Sequence, residues 1–345
     1  MRLAVVLFNL GGPDSLDNVE PFLRNLFSDA AILPFPFWIR KPLAWAIARR
    51  RAPVAREIYR RIGGRSPILD ETLAQAAALE SMLREGGRDT KVFVAMRAWG
   101  PMSEEVARAV ADFGPDMAVL LPLYPQYSVT TTGSAIRAWR EAAARAGLSA
   151  VERRICCYPW ERGFINAVGA GVCAALGKRR AGTEYRILFS AHGLPQRTIA
   201  AGDPYQWQIE RTVEAVVAEI GIENLDWRIC YQSRVGSLKW LEPATDVEIR
   251  RAGAEGKGLI VVPVAFVSEH SETLVELDMD YAKLALESGA ADYIRVATVR
   301  TDEPFIRGLA ELVQKAVVSE RAVSCGGGRI CPALFRQCGI GGSAA

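Results

Sequence analysis

The sequence predicts an α/β fold of two doubly wound halves, each built on a parallel sheet, with a cleft between them. Three observations carry this. Short continuous apolar runs rich in Val, Ile and Leu alternate with longer stretches of helical period, the pattern of strands covered by helices on both faces. The runs fall into two groups, before and after residues 150–161. Polar, aromatic and glycine residues gather just after the runs, at the sheet edge where open α/β proteins bind ligands.

The first run, residues 3–8, imitates the apolar stretch of an export signal. It leads into Gly11-Gly12-Pro13-Asp14-Ser15 without a small-residue cleavage site, so it reads as a buried strand of a cytosolic chain. The glycine pair lacks the third glycine of a dinucleotide fingerprint, which disfavours a nicotinamide cofactor. A tight turn that lets a flat ligand approach the backbone fits better. Next comes a lip, Ile32-Leu33-Pro34-Phe35-Pro36-Phe37-Trp38-Ile39, followed by Arg40, Lys41, Arg49, Arg50, Arg51, Arg56, Arg60, Arg61 and Arg65, with only Glu57 opposing them. The plain reading is a core helix with a solvated basic face. The functional one is a greasy surface for a flat apolar ligand or a membrane, with arginines for carboxylates.

Helical period at 72–84 precedes a strand at 92–96 that ends on Arg97. A helix at 103–113, a strand at 117–123 and a helix at 134–146 complete the first half. The second half has strands at 185–189, 227–230 and 259–266, with helices at 208–220 and 272–288. The last helix, 304–318, leads into a tail, 319–345, with six glycines and three cysteines. The expected division is 1–150, 151–303 and 304–345.

Composition agrees. The 345 residues suggest two domains at ~150 each. A balance of 42 basic and 39 acidic residues is too even to argue for nucleic acid. No window approaches the ~18 unbroken apolar residues of a membrane span. An odd number of cysteines, seven, speaks against a secreted disulfide framework.

The only two histidines, His192 and His270, both fall at predicted strand ends. A lone histidine is commonly a satisfied core residue. On this edge, an imidazole can accept a proton or ligate a metal near neutrality. Beyond His270, Glu269, Glu272, Glu276 and Asp280 are spaced 3, 4 and 4 apart and share one helix face. This is either a solvated acidic face or a carboxylate track for a hard cation. One imidazole from His192 and one carboxylate from Glu272 suit a transiently held Fe²⁺ better than a closed zinc site. In the tail, Cys325, Cys331 and Cys338 are one thiolate short of a four-cysteine site, with Cys157 or Cys156 the nearest candidates for the fourth. A disordered tail, zinc and an iron–sulfur cluster all stay open on spacing alone. Cys173 and Cys230 read as core residues.

These motifs resemble the ferrochelatase (protoheme ferro-lyase) family over nearly the full length. The matching segments are Asn9 to Ser15, YRRIGGRSPI at 59–68, LYPQYSVTTTG at 123–133, FSAHGLP at 189–195, YQSRVG at 231–236 and VPVAFVSEHSETLVELDMDY at 262–281. The resemblance implies two Rossmann-like halves enclosing a porphyrin cleft, and an enzyme inserting Fe²⁺ into protoporphyrin IX. It makes His192 and Glu272 the catalytic, iron-binding pair, with Glu269, His270, Glu276 and Asp280 along a metal path. Leu10, Tyr59, Ser66, Arg97, Gln232 and Trp240 would line the porphyrin pocket. The lip would meet the membrane, which implies a cytoplasmic protein held peripherally at the inner membrane, and a homodimer is compatible with the family. Some members carry a [2Fe-2S] cluster on three C-terminal cysteines and one distant one. In animal members the distant ligand follows YPQYS, where this chain has Val129, so the fourth ligand is expected at Cys157, with Cys156 the alternative.

Overall fold

The computed structural model describes residues 1–233 and 238–341. The Arg234-Val235-Gly236 part of the fifth matching segment therefore lies outside the described residues.

The chain divides into two compact units. In the first, β1 (Leu3–Asn9), β2 (Thr90–Met96), β3 (Met117–Pro122) and β4 (Val151–Cys157) alternate with α1 (Val19–Phe27), α2 (Phe37–Arg60), α3 (Ile68–Arg84), α4 (Ser103–Phe113) and α5 (Thr132–Arg145). The second contains α6 (Arg162–Leu176), β5 (Tyr185–His192), α7 (Gln196–Ala200), α8 (Tyr205–Ile220), β6 (Trp227–Gln232), α9 (Thr245–Ala254) and β7 (Gly258–Pro263). It continues with a π-helical run (Glu272–Asp280), α10 (Tyr281–Glu287) and β8 (Asp292–Arg295). The chain ends with α11 (Glu303–Val318) and a two-residue strand, β9 (Val323–Ser324).

Every residue of β1, β3 and β7 is buried, which accounts for their unbroken apolar runs. The first sheet has the order β2-β1-β3-β4-β9 and the second β6-β5-β7-β8, with every strand pair parallel. In each sheet the first strand in sequence lies between the next two. The chain thus leaves β1 and β5 in one direction and returns on the other side, and that reversal opens a crevice at the strands' carboxyl ends. Helix α4 buries Val106, Ala107 and Val110 and stops at Gly114, whose φ of 62° is left-handed. Its apolar face joins Phe8, Leu120 and Trp139 in the first core, while Leu188, Cys230, Val261, Ile249 and Leu277 build the second.

Three features differ from the sequence reading. Residues 151–157, taken as the junction of the halves, form β4; Glu152, Arg153 and Arg154 mask a strand whose last three residues are buried. The first unit accordingly runs to Tyr158 and takes in residues 309–330. Cys173 is exposed rather than core, because it falls opposite the α6 face that buries Ile165, Val168 and Val172.

Trp139 is fully buried and edge-on to Phe8, with ring centroids 5.8 Å apart. Trp139→Ala should cost ~3–5 kcal/mol of stability, read as a lowered denaturation midpoint by circular dichroism.

Candidate active site

The second unit gathers its chemistry where β5, β6 and β7 end. His192 is the last residue of β5, Gln232 is its register partner at the end of β6, and Glu272 opens the π-helical run after β7. His192 Nδ1 donates to Glu272 Oε2 at 2.9 Å. With Nδ1 so engaged, the lone pair resides on Nε2. The hydroxyl of Tyr205 donates to the His192 carbonyl at 3.0 Å and fixes the strand end.

Ser233 ties the two carboxylates together. Its hydroxyl lies 3.2 Å from Glu272 Oε2 and 2.6 Å from Glu276 Oε2, and its N–H donates to Glu276 Oε1 at 3.0 Å. Ser233 has a φ of 60°, left-handed for a non-glycine residue, at the point where strain is expected at a functional site. The sequence reading did not single it out. The signal available was its place at a strand end directly after Gln232.

The acidic stripe sits on a π-helix, not an α-helix. Such turns are rare and frequent at functional sites. Side chains hold this one: Tyr293 OH donates to the Leu277 carbonyl at 2.6 Å, Tyr281 OH to Glu276 Oε1 at 2.9 Å, and Arg295 pairs with Asp278. Arg295 also pairs with Glu269 at 3.0 Å, and the Thr298 N–H donates to the same carboxylate at 2.9 Å. Glu269 is therefore a buried ion-pair partner rather than part of a continuous stripe with Glu272 and Glu276. Asp280 is exposed at the far end of the run. His270 is buried, with its Nδ1 3.2 Å from the Ser268 carbonyl and its ring against Phe266 at 4.6 Å. Among the described residues, no group of three or more His, Cys, Asp or Glu is arranged to hold a metal ion.

Burial opposes charge at each of these groups, and their neighbours decide the outcome. It would push His192 down, yet the Glu272 carboxylate outweighs it and raises the imidazole above its usual range. Burial likewise opposes ionisation of Glu272, but His192 draws it down to about 2. At Glu276 burial and the charge of Glu272 act together and raise the carboxyl. Burial lowers His270. The Ser233 hydroxyl has one proton for two carboxylates, an arrangement relieved when Glu276 holds a proton of its own.

A sequence profile described as Ferrochelatase matches residues 2–317. This chain belongs to the ferrochelatase family. It is 51% identical to the ferrochelatase of Caulobacter vibrioides over 98% of this chain and 97% of that one. Identity is 52% with that of Phenylobacterium zucineum, covering 98% of each, and 46% with that of Pelagibacter ubique, also over 98% of each. Among solved structures, SirB from Bacillus subtilis with Fe³⁺ superposes at a TM-score of 0.52 with 12% identity, over 92% of this chain and 96% of that one, a likeness of fold.

The remaining expected ferrochelatase residues are distributed over both units. In the first, Leu10 and Arg97 follow β1 and β2, while Tyr59 and Ser66 are buried at and beyond the end of α2. A Cβ on Gly12 would stand 2.5 Å from Ser66 Cβ, and one on Gly11 3.2 Å from the Trp99 nitrogen. The glycine pair thus makes room for protein neighbours. In the second unit, Gln232 is buried and accepts from Ser190 Oγ at 2.7 Å, and Trp240 bridges to Pro195.

With only two histidines, ring NMR titration separates them cleanly. His192 should titrate above ~6.5 and His270 below it. The charge pair stabilises the fold from the ordinary carboxylate range up to ~6.5; it weakens as pH falls toward about 2 at Glu272, and as pH rises through the raised His192 pKa. Titration of both rings below ~6.5 would refute the assigned pairing.

Proposed function

We propose that this ferrochelatase-family lyase inserts Fe²⁺ into protoporphyrin IX with His192 accepting pyrrole protons and Glu272 handling the metal. The observation that carries this is the 2.9 Å pair of His192 Nδ1 and Glu272 Oε2, which leaves Nε2 as the basic nitrogen at a strand end. A planar porphyrin keeps its nitrogen lone pairs in the ring plane, and two of its nitrogens carry protons. A rigid site that bends the macrocycle turns those lone pairs toward one face, using binding energy to strain the substrate. His192 takes the two pyrrole protons in turn as the iron–nitrogen bonds form, releasing the first to water before it accepts the second, and Glu272 becomes more strongly paired each time the imidazolium appears. One carboxylate beside one imidazole suits an ion in transit, which must be released to the macrocycle. Glu276 and Asp280 continue the proposed metal path along the π-helical run, with His270 beside it. Glu269, taken up by Arg295, stands outside that path. Leu10, Tyr59, Ser66, Arg97, Gln232 and Trp240 are the residues proposed to meet the porphyrin.

The lip supports attachment to a membrane surface. Phe37 and Trp38 are 60% and 73% exposed, and Lys41 and Arg49 lie over the rings of Phe37 and Trp45 at 4.4 and 5.4 Å. Exposed aromatics interleaved with cations match an interfacial anchor. No helix among the described residues is long and apolar enough to cross a membrane.

A [2Fe-2S] cluster on Cys157, Cys325, Cys331 and Cys338 completes the reading. Pairing of β9 with β4 brings the Cys325 N–H within 3.2 Å of the Cys157 carbonyl, and Gly339, next to Cys338, packs against Cys156. Among the described residues no three of these thiols stand together as a metal site; it is the chemistry of four soft thiolates that suits such a cluster, which when bound would supply iron–sulfur bonds to a tail poor in apolar residues.

His192→Ala should nearly abolish metallation while porphyrin affinity stays within about tenfold. The check is loss of the free-base porphyrin spectrum under anaerobic Fe²⁺; retained turnover removes the role, and a stoichiometric stop in the unaltered protein indicates a carrier. Protein prepared without oxygen should show visible charge-transfer bands that Cys157→Ser removes and Cys156→Ser keeps. Their absence from the unaltered protein refutes the cluster.

A further inference from the structure

A buried network in the first unit centres on Asp29, a residue in the turn after α1. Its carboxylate is 6% exposed. Oδ2 accepts from Arg97 Nη2 at 2.9 Å and from the Ser134 hydroxyl in a very short contact. Ser134 Oγ in turn accepts from Arg97 Nε at 2.7 Å, so the guanidinium is gripped along one edge by two partners that also grip each other. The other carboxylate oxygen, Oδ1, accepts from the Ala31 N–H at 2.9 Å. The Asp29 carbonyl accepts from the N–H groups of Ile32 and Leu33 at 3.1 and 2.9 Å. One residue thereby holds both the end of β2, through Arg97, and the first turn of the apolar lip.

Arg97 is not consumed by this grip. Its side chain keeps 23% of its surface exposed, and the bonds to Asp29 and Ser134 engage the Nη2 and Nε edge. It lines a pocket with Leu10, Leu26, Ile32 and Tyr124. A guanidinium fixed on one edge and open on the other is a preorganised donor for a carboxylate.

We propose that Asp29 is a positioning residue for substrate. It aims Arg97 at an acidic side chain of the porphyrin and fixes the lip beside that contact. This rests on the reading of Arg97 as a porphyrin-binding residue and deepens it. Without the Asp29 carboxylate, nothing on that edge balances the guanidinium, and the arginine loses its direction while the apolar floor stays.

The test compares a dicarboxylic porphyrin with its dimethyl ester, which cannot use the guanidinium. Fe²⁺ insertion into each is followed anaerobically for the unaltered protein and for Asp29→Asn. The expected result is a KM for the diacid raised about tenfold, with kcat and the ester KM held, as for loss of binding common to ground and transition states. A parallel rise for both porphyrins, no rise for either, or an unaltered protein indifferent to esterification overturns the proposal. Should Asp29→Asn not fold, Ser134→Ala removes the Arg97 Nε partner and one donor to Asp29 while leaving the Arg97–Asp29 ion pair, and should show the same selective rise, smaller in size; a uniform change overturns the proposal equally. If the unaltered protein metallates neither porphyrin, it is the function reading that fails. Dissociation constants of the two porphyrins from tryptophan fluorescence then decide the role of Asp29 by the same comparison.

Discussion

The contact between His192 and Glu272 sets the terms for everything around it. Each group is only partly open to water, and burial disfavours the charge on both. At 2.9 Å the mutual attraction prevails, so the imidazole holds its proton more tightly and the carboxyl hardly holds one at all. The pair therefore carries a base whose orientation is set by a permanent anion. The second anion, Glu276, pays for that arrangement by being pushed toward its neutral form. A row of carboxyl groups that would repel as equals becomes a graded series of ionised and protonatable sites.

The scaffold explains why such a series can be held still. Parallel strands end in register, so β5, β6 and β7 deliver their terminal residues to one edge, and the chain reversal around β5 opens space there. Tertiary ties then impose what local preference would not. Tyr281, Tyr293 and Arg295 clasp a π-helical run, and Ser233 accepts a left-handed backbone so that its N–H and hydroxyl both face acids. The first unit uses the same economy at Asp29, where one buried carboxylate organises an arginine, a serine and the entry to the lip.

The strands were legible because burial on both faces demands unbroken apolar runs, and β1, β3 and β7 supply them. The strand ends were legible because polar residues directly after such runs have nowhere to go but the binding edge. That logic picked out His192 and Glu272, and helical spacing added Glu276. It failed at β4, where charged residues on a half-exposed strand look like a linker, and at Cys173, whose helix is apolar on more than one side. It also joined Glu269 to the acidic row, since spacing along a sequence is blind to Arg295 approaching from β8.

What the amino-acid order settled by itself was the class of fold, the edge that carries the chemistry and the kinds of group placed there. These follow from local rules: hydrophobic period, turn chemistry and the scarcity of histidine. Only the folded chain decided which carboxylate meets the imidazole, which one meets an arginine, and which has its ionisation opposed by burial and a neighbouring charge. Those outcomes depend on distances of a few ångströms between residues far apart in sequence, where burial and charge compete and small displacements change the winner.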